Sequence, residues 1–513
     1  GLALNIGRDA ASSGTLNIGS GGTVLVRASS VAPGTPGEAF NPFVRIGRDG
    51  SGMLSVTGGG RLLVEGNAAS TAANTRRTNL FIGGAGDTVV GGRGVATVSG
   101  PGSELRVSGA DAYIGVGHGP LASGNLTLAD QAQASATILG IGNFGGTGVA
   151  RLTNSRIDLQ GQFSGNGQFG ASLAVGAGEG AVGNLTLNNS TVRIDNVAGS
   201  NNGGVTIGGS QLLTGGDGSI SLTGGSSIQV VMQPGTGGVT VGRSGSGVLR
   251  LQDASSVDVG SGGLYVGRNV GSDGTVIATG GSTITAGFVG VGRNTLGGGV
   301  TVDGGTATLV LNGATLNAQN VVIGTNGYLG GSAGAINVSG SVVNYGIFSP
   351  GSSPGRFDIS GDFNAAAGSR LILEVEQRNG AFLIDDLRFA AGHLVTLGGS
   401  AIEFRFLGSA DPNAFFLSGD FDIARFVRQS DAAGALVGLD AGAYTGATFS
   451  ARADAYVFTS FEYTLAGGAS FVAVPNPAVP EPASWVLLAV GLAGLVGVAR
   501  RPSARFPTTA LVR

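Results

Sequence analysis

Cysteine and lysine are both missing from the 513 residues, histidine occurs twice and tryptophan once. Without cysteine there are no disulfides, no thiolate metal sites and no cysteine nucleophile, so stability has to come from packing. Without lysine every long cation is arginine; a GC-rich genome gives the same bias, and it carries no functional weight. His118 and His393 lie far apart, so neither a Ser-His-Asp triad nor a histidine-rich metal centre is expected. Charge is scarce at 12% with a formal net charge of -3, and no basic run precedes the C-terminal tail. That excludes the electrostatic footprint of a nucleic-acid binder. No cofactor and no metal are expected.

What is present is glycine, 100 residues of it, with 42% hydrophobic residues. There is no strict Gly-X-Y period, which excludes collagen, and the apolar content is too high for a disordered chain. The stretch "FVRIGRDGSGMLSVTGGGRLLVEG" from Phe43 recurs in weaker form from Val239, Leu264 and Val289. Each copy alternates short apolar stretches with Gly, Ser, Asn or Asp, the mark of strands and tight turns. Apolar-X-Gly anchors fall at Gly7, Gly47, Gly83, Gly115, Gly142, Gly176, Gly208, Gly242, Gly267, Gly292 and Gly324. One such unit cannot bury its own apolar side chains, but stacked units can. The fold class expected is therefore all-β: a right-handed parallel β-helix, or solenoid, over residues 1–344. A β-propeller is the alternative, disfavoured because two-residue Asn-Gly and Asp-Gly hairpin turns are scarce. These repeats resemble those shared by autotransporter passenger domains and exosortase-sorted surface proteins.

The stretch "YGIFSPGSSPGRFDISGDF" from Tyr345 resembles the Ser-Pro-Gly segment that closes many such passenger solenoids. Residues 345–474, richer in Phe and Tyr, are expected to form a β-rich C-terminal capping module. Residues 475–482 read as a linker containing Pro480-Glu481-Pro482. The uncharged run 483–499 reaches roughly 25 Å as a helix, enough for a single C-terminal transmembrane helix. Arg500 and Arg501 open the tail 500–513 and would stay on the cytoplasmic side, placing the bulk of the chain across the membrane. Export requires a leader, and "GLALNIGRDA" already matches the repeat, so a signal peptide is expected to have been removed or lost upstream.

Val479-Pro480-Glu481-Pro482, the apolar run and Arg500-Arg501, in that order, resemble a PEP-CTERM sorting signal. The resemblance implies that an exosortase in the inner membrane recognises Pro480, Glu481 and Pro482, cuts near them, and releases the protein to the cell surface or extracellular matrix. A plain single-pass anchor is the simpler reading of the same residues.

Arg243, Arg268 and Arg293 occupy one place in three consecutive repeats, and Arg8 and Arg48 repeat it near the start. In register they would stack as a ladder able to grip an anionic exopolysaccharide. The alternative has them bonded to turn carbonyls or to Asp9, Asp49, Asp253 and Asp273. "GGDGSISL" from Gly215 offers one carboxylate, too few for calcium. Asp385 and Asp386 are adjacent strand residues on opposite faces and read as a solvated pair rather than a catalytic couple. These readings give a non-enzymatic, exported adhesive or structural component of a biofilm matrix. The alternatives are a polysaccharide lyase or hydrolase, and an autotransporter, the last disfavoured by the single apolar helix.

Overall fold

The computed structural model describes residues 3–27, 42–66, 78–85, 91–109, 111–161, 171–196, 203–210, 213–231, 237–295, 301–351 and 354–476. The alternating residues form strands, and each strand pairs in parallel with the one at the same place in the next circuit of the chain. Gly238–Val241 pairs with Gly263–Val266, Ser246–Leu251 with Asp273–Thr279, and Ser256–Asp258 with Thr283–Val291. Alternation sends every second side chain inward. Ile6, Ile46, Ile82, Val116, Ile141, Val175, Ile207, Val241, Val266, Val291 and Ile323 are successive register partners, all of them buried. Each such side chain, taken from water, stabilises the stack by about 1.5–3 kcal/mol. Asn344 follows in this column, fully buried, with Ala365 as its next partner; its Nδ2 donates to the Arg370 carbonyl and its Oδ1 accepts from Gly346 N–H.

Glycine recurs at one corner because the next circuit leaves no room for a side chain there. At Gly142, φ is +63° and a Cβ would sit 1.9 Å from the Val182 carbonyl oxygen. The same corner in the circuit before is Gly117, 2.0 Å from the Thr147 oxygen, and not the Gly115 anchor read from the sequence. Gly115 lies within the strand Tyr113–His118, paired with Phe81 and Gly140.

The expected architecture is corrected by this pairing. The strands form two continuous walls, sheets of 25 and 16 strands, around one apolar core, a nearly closed parallel-stranded tube rather than an open solenoid with a separate cap. From Thr283 onward a single long strand turns the corner that two shorter ones made before: Thr283–Val291 pairs with both Ser256–Asp258 and Gly263–Val266. The Ser-Pro-Gly segment does not end the tube. Ile347–Ser349 pairs with Gly327–Gly330 before it and with Arg370–Arg378 after it. Parallel pairing then continues through Ala401–Leu407 to Thr448–Ala453.

The chain is also not purely β. Helices Pro412–Leu417 and Ile423–Phe426 are each N-capped by an aspartate, Asp411 accepting from Asn413 N–H and Asp422 from Ala424 N–H. They drive Phe415, Phe421 and Phe426 onto Phe404 and Phe406. The antiparallel hairpin Tyr456–Thr464 and Gly468–Pro475 covers the same end. Among the described residues no helix is long and apolar enough to cross a membrane. The run 483–499, on which the transmembrane helix was expected, lies outside them, as do Pro480, Glu481, Pro482, Arg500 and Arg501.

Candidate functional site

Arg370–Arg378 carries the sequence Arg-Leu-Ile-Leu-Glu-Val-Glu-Gln-Arg, with Leu371, Leu373 and Val375 turned into the core. Alternation puts Glu374 and Glu376 together on the opposite face. Glu374 is nevertheless only 6% exposed. Its register partner on the next strand is Arg405, itself opposite Arg452. On its other side the strand folds back as the hairpin arm Ala381–Ile384, which ends at Asp385.

Asp385 is completely buried, and its carboxylate accepts the backbone N–H of Glu374 at 2.7 Å and of Gly355 at 2.9 Å. The Ser-Pro-Gly segment is thus pinned through Gly355 to the strand that holds Glu374. Burial pushes the Asp385 carboxyl well above the usual carboxylate range, only partly offset by the two N–H donors. Burial likewise raises Glu374; Arg405 opposes the shift, while Asp454 and Glu376 add to it. Tyr328 is raised by burial and lies in the field of Glu374, Asp385 and Arg405, with Ser349 hydrogen-bonded to it.

Glu374 Oε2 and Arg405 Nε are buried and have no hydrogen-bond partner among the described residues. Glu376 is held by Arg378, whose Nε donates to Oε1 at 2.8 Å. The cluster therefore offers a carboxyl that keeps its proton more readily than an ordinary glutamate, an ion-paired carboxylate on the same face, and a guanidinium N–H between strands without an acceptor. Paired carboxyl groups of unlike character are what acid–base chemistry requires.

Asp385 and Asp386 do part company, but not as a solvated pair. Asp386 is bonded by Arg388 and Arg428, which hold its carboxyl below the usual range despite its burial. The expectation of a non-enzymatic adhesive or structural protein rested on the lack of clustered ionisable groups, and the cluster around Glu374 overturns it. Neither Glu374, Glu376, Arg405 nor Tyr328 was singled out from the sequence. The available signal was the pair of glutamates two apart within an apolar strand.

The two histidines remain apart, His118 with Tyr113 at 2.8 Å and His393 with Asp362 at 3.3 Å. Among the described residues no group of three or more His, Asp or Glu is placed to hold a metal.

The arginine row is placed as follows. Arg268 N–H donates to the Gly242 carbonyl and Arg243 N–H to that of Gly208, so the two arginines sit one circuit apart at the same corner. Arg268 stacks 4.6 Å from the Tyr265 ring centroid, and its Nε donates to Asn294 at 2.9 Å. Arg293 is instead neutralised by Asp303 at 2.5 Å, on the short hairpin formed by Arg293–Thr295 and Thr301–Asp303. Near the start, Arg8 and Arg48 face Asp9 at 3.9 Å and Asp49 at 3.7 Å.

Residues 478–501 match the model of the PEP-CTERM protein-sorting motif. The motif marks the chain for recognition and processing by an exosortase, and for export to the cell surface. No curated protein matches the chain. The other half of the resemblance, to autotransporter passenger repeats, is corrected together with the fold: the match covers the sorting signal alone, and the tube runs on through the segment expected to close a passenger.

Proposed function

We propose that the protein is a polysaccharide-processing enzyme of the cell surface, with Glu374 as its proton donor. The observation that carries this reading is Glu374 itself, a buried carboxyl raised above its ordinary value beside the unsatisfied Arg405 Nε. In a glycosidic cleavage Glu374 gives its proton to the leaving oxygen as the bond from the anomeric carbon breaks. Glu376 takes a proton from water as the water oxygen bonds to that carbon. Residues two apart in a strand lie roughly 6.6 Å apart along one face, which suits two carboxyl groups flanking one bond. Arg405 orients the sugar between them.

The sorting signal supports the route by which such an enzyme reaches its substrate. Before processing, residues 483–499 hold the chain in the inner membrane, with Arg500 and Arg501 on the cytoplasmic side. Cutting near Pro480, Glu481 and Pro482 frees the tube to work on exopolysaccharide outside.

The test is reducing-end release by the full chain from polygalacturonate and alginate. Wild type should release ends from at least one of them, and Glu374→Gln should lose about 100-fold or more of that rate. No release by wild type from either polymer, or equal rates for the variant, overturns the reading.

A further inference from the structure

Arg243 and Arg268 are the two cations of the corner row that the fold leaves without a carboxylate. Neither Asp253 nor Asp273 reaches them, and the charges felt by Arg243 include Arg268 but no acid. The segments outside the described residues between 162 and 300 contain no aspartate or glutamate, so none supplies a counter-ion from nearby sequence. Their backbone bonds set the two residues one circuit, about 4.8 Å, apart along the tube. Both side chains are half-buried, where like charges repel more strongly than in water. Beside them Tyr265 and Phe288 stand on neighbouring strands with ring centroids 5.7 Å apart, both partly exposed.

Two arginines on adjacent circuits without an acid, next to a pair of partly exposed rings, match a polymer that repeats both an anion and an apolar face. We infer that the corner formed by Arg243, Arg268, Tyr265 and Phe288 is a binding site for a carboxylated or sulfated polysaccharide. Arginine meets carboxylate or sulfate through two parallel N–H bonds, and the rings offer a flat face to the sugar. The spacing of the arginines along the tube fixes the direction of the polymer, parallel to the stacking axis. This site stands apart from Glu374 and does not depend on cleavage.

Its basicity supports the assignment. Burial, followed by the neighbouring Arg268 charge, lowers Arg243 to about 10. It stays charged at neutral pH and gains most from an anion that neutralises it.

The experiment is retention of the full chain on immobilised polygalacturonate and dextran sulfate, with neutral dextran as control. Arg243→Gln with Arg268→Gln is compared with Arg151→Gln with Arg250→Gln, which removes the same charge from exposed wall positions. The first pair should weaken retention about tenfold or more and flatten its salt dependence, while the second changes it less than about twofold. Wild-type retention should fall as pH rises through about 10. Equal retention of the first pair and wild type overturns the site. So do equal losses in both pairs, which would mean diffuse charge, and equal binding to neutral dextran.

Discussion

Replacing Arg243 by glutamine should make the protein more stable while making it bind worse. The guanidinium of Arg243 has no hydrogen-bond or ion-pair partner among the described residues, so little favourable contact is lost. What is removed is repulsion from Arg268. Two unit charges about 5 Å apart repel by about 0.8 kcal/mol in bulk water and about 3 kcal/mol at an effective dielectric constant of 20. The side chains are half-buried, so solvent and salt bring the net figure to about 1–2 kcal/mol. The sign with pH follows from the depressed pKa. The folded state holds the Arg243 proton less tightly than the unfolded chain does. The penalty is therefore full below pH of about 10 and is relieved as pH rises above it. Urea midpoints at low salt should be higher for Arg243→Gln than for wild type at pH 7, with the gap narrowing at 0.5 M salt (about the range where screening is nearly complete) and above pH of about 10. A midpoint lowered by the equivalent of about 1 kcal/mol or more of stability would overturn it. It would show that Arg243 holds its corner together rather than waiting for a ligand.

Further outcomes test the fold around the two sites. Asp385→Ala strands the N–H groups of Glu374 and Gly355 in a buried setting and should cost about 2–4 kcal/mol in urea unfolding. Because burial raises Asp385, the folded state takes up a proton more readily, so the advantage of wild type over Asp385→Asn should grow as pH falls from neutral toward about 4. Gly142→Ala meets the Val182 carbonyl and should cost about 3 kcal/mol or more, whereas Gly225→Ala, with open space around it, should cost about 1 kcal/mol. Phe404→Ala empties the ring cluster at the end of the tube and should lower stability by about 3–5 kcal/mol.

The corner glycines and the inward apolar columns were legible because both repeat in a strand of period two, and a side chain's face follows from parity alone. The one misplaced anchor, Gly115 for Gly117, came from a strand in which "IGVG" offers two glycines and only pairing with Gly83's circuit tells them apart. The extent of the tube was not legible. Prolines 350 and 354 looked like a terminus, yet they sit at a corner that Gly355 and Asp385 tie down from thirty residues away in sequence. The Glu374 site was hidden for the same reason. Its charge pattern is local, but its burial depends on Arg405 across the ladder and on a hairpin arm. The arginine row was visible as a row; that Arg293 is neutralised by Asp303 required the hairpin that brings them together.

The most direct test of the central claim is the protonation of Glu374, followed by carbon NMR of its side-chain carboxyl in the full chain across a pH titration, with Glu374→Gln used to assign the signal. The midpoint should lie above the ordinary glutamate value of 4.5 and rise further when Arg405 is replaced by glutamine. A midpoint at or below 4.5 would mean that Glu374 is an ordinary ion-paired carboxylate and not the proton donor.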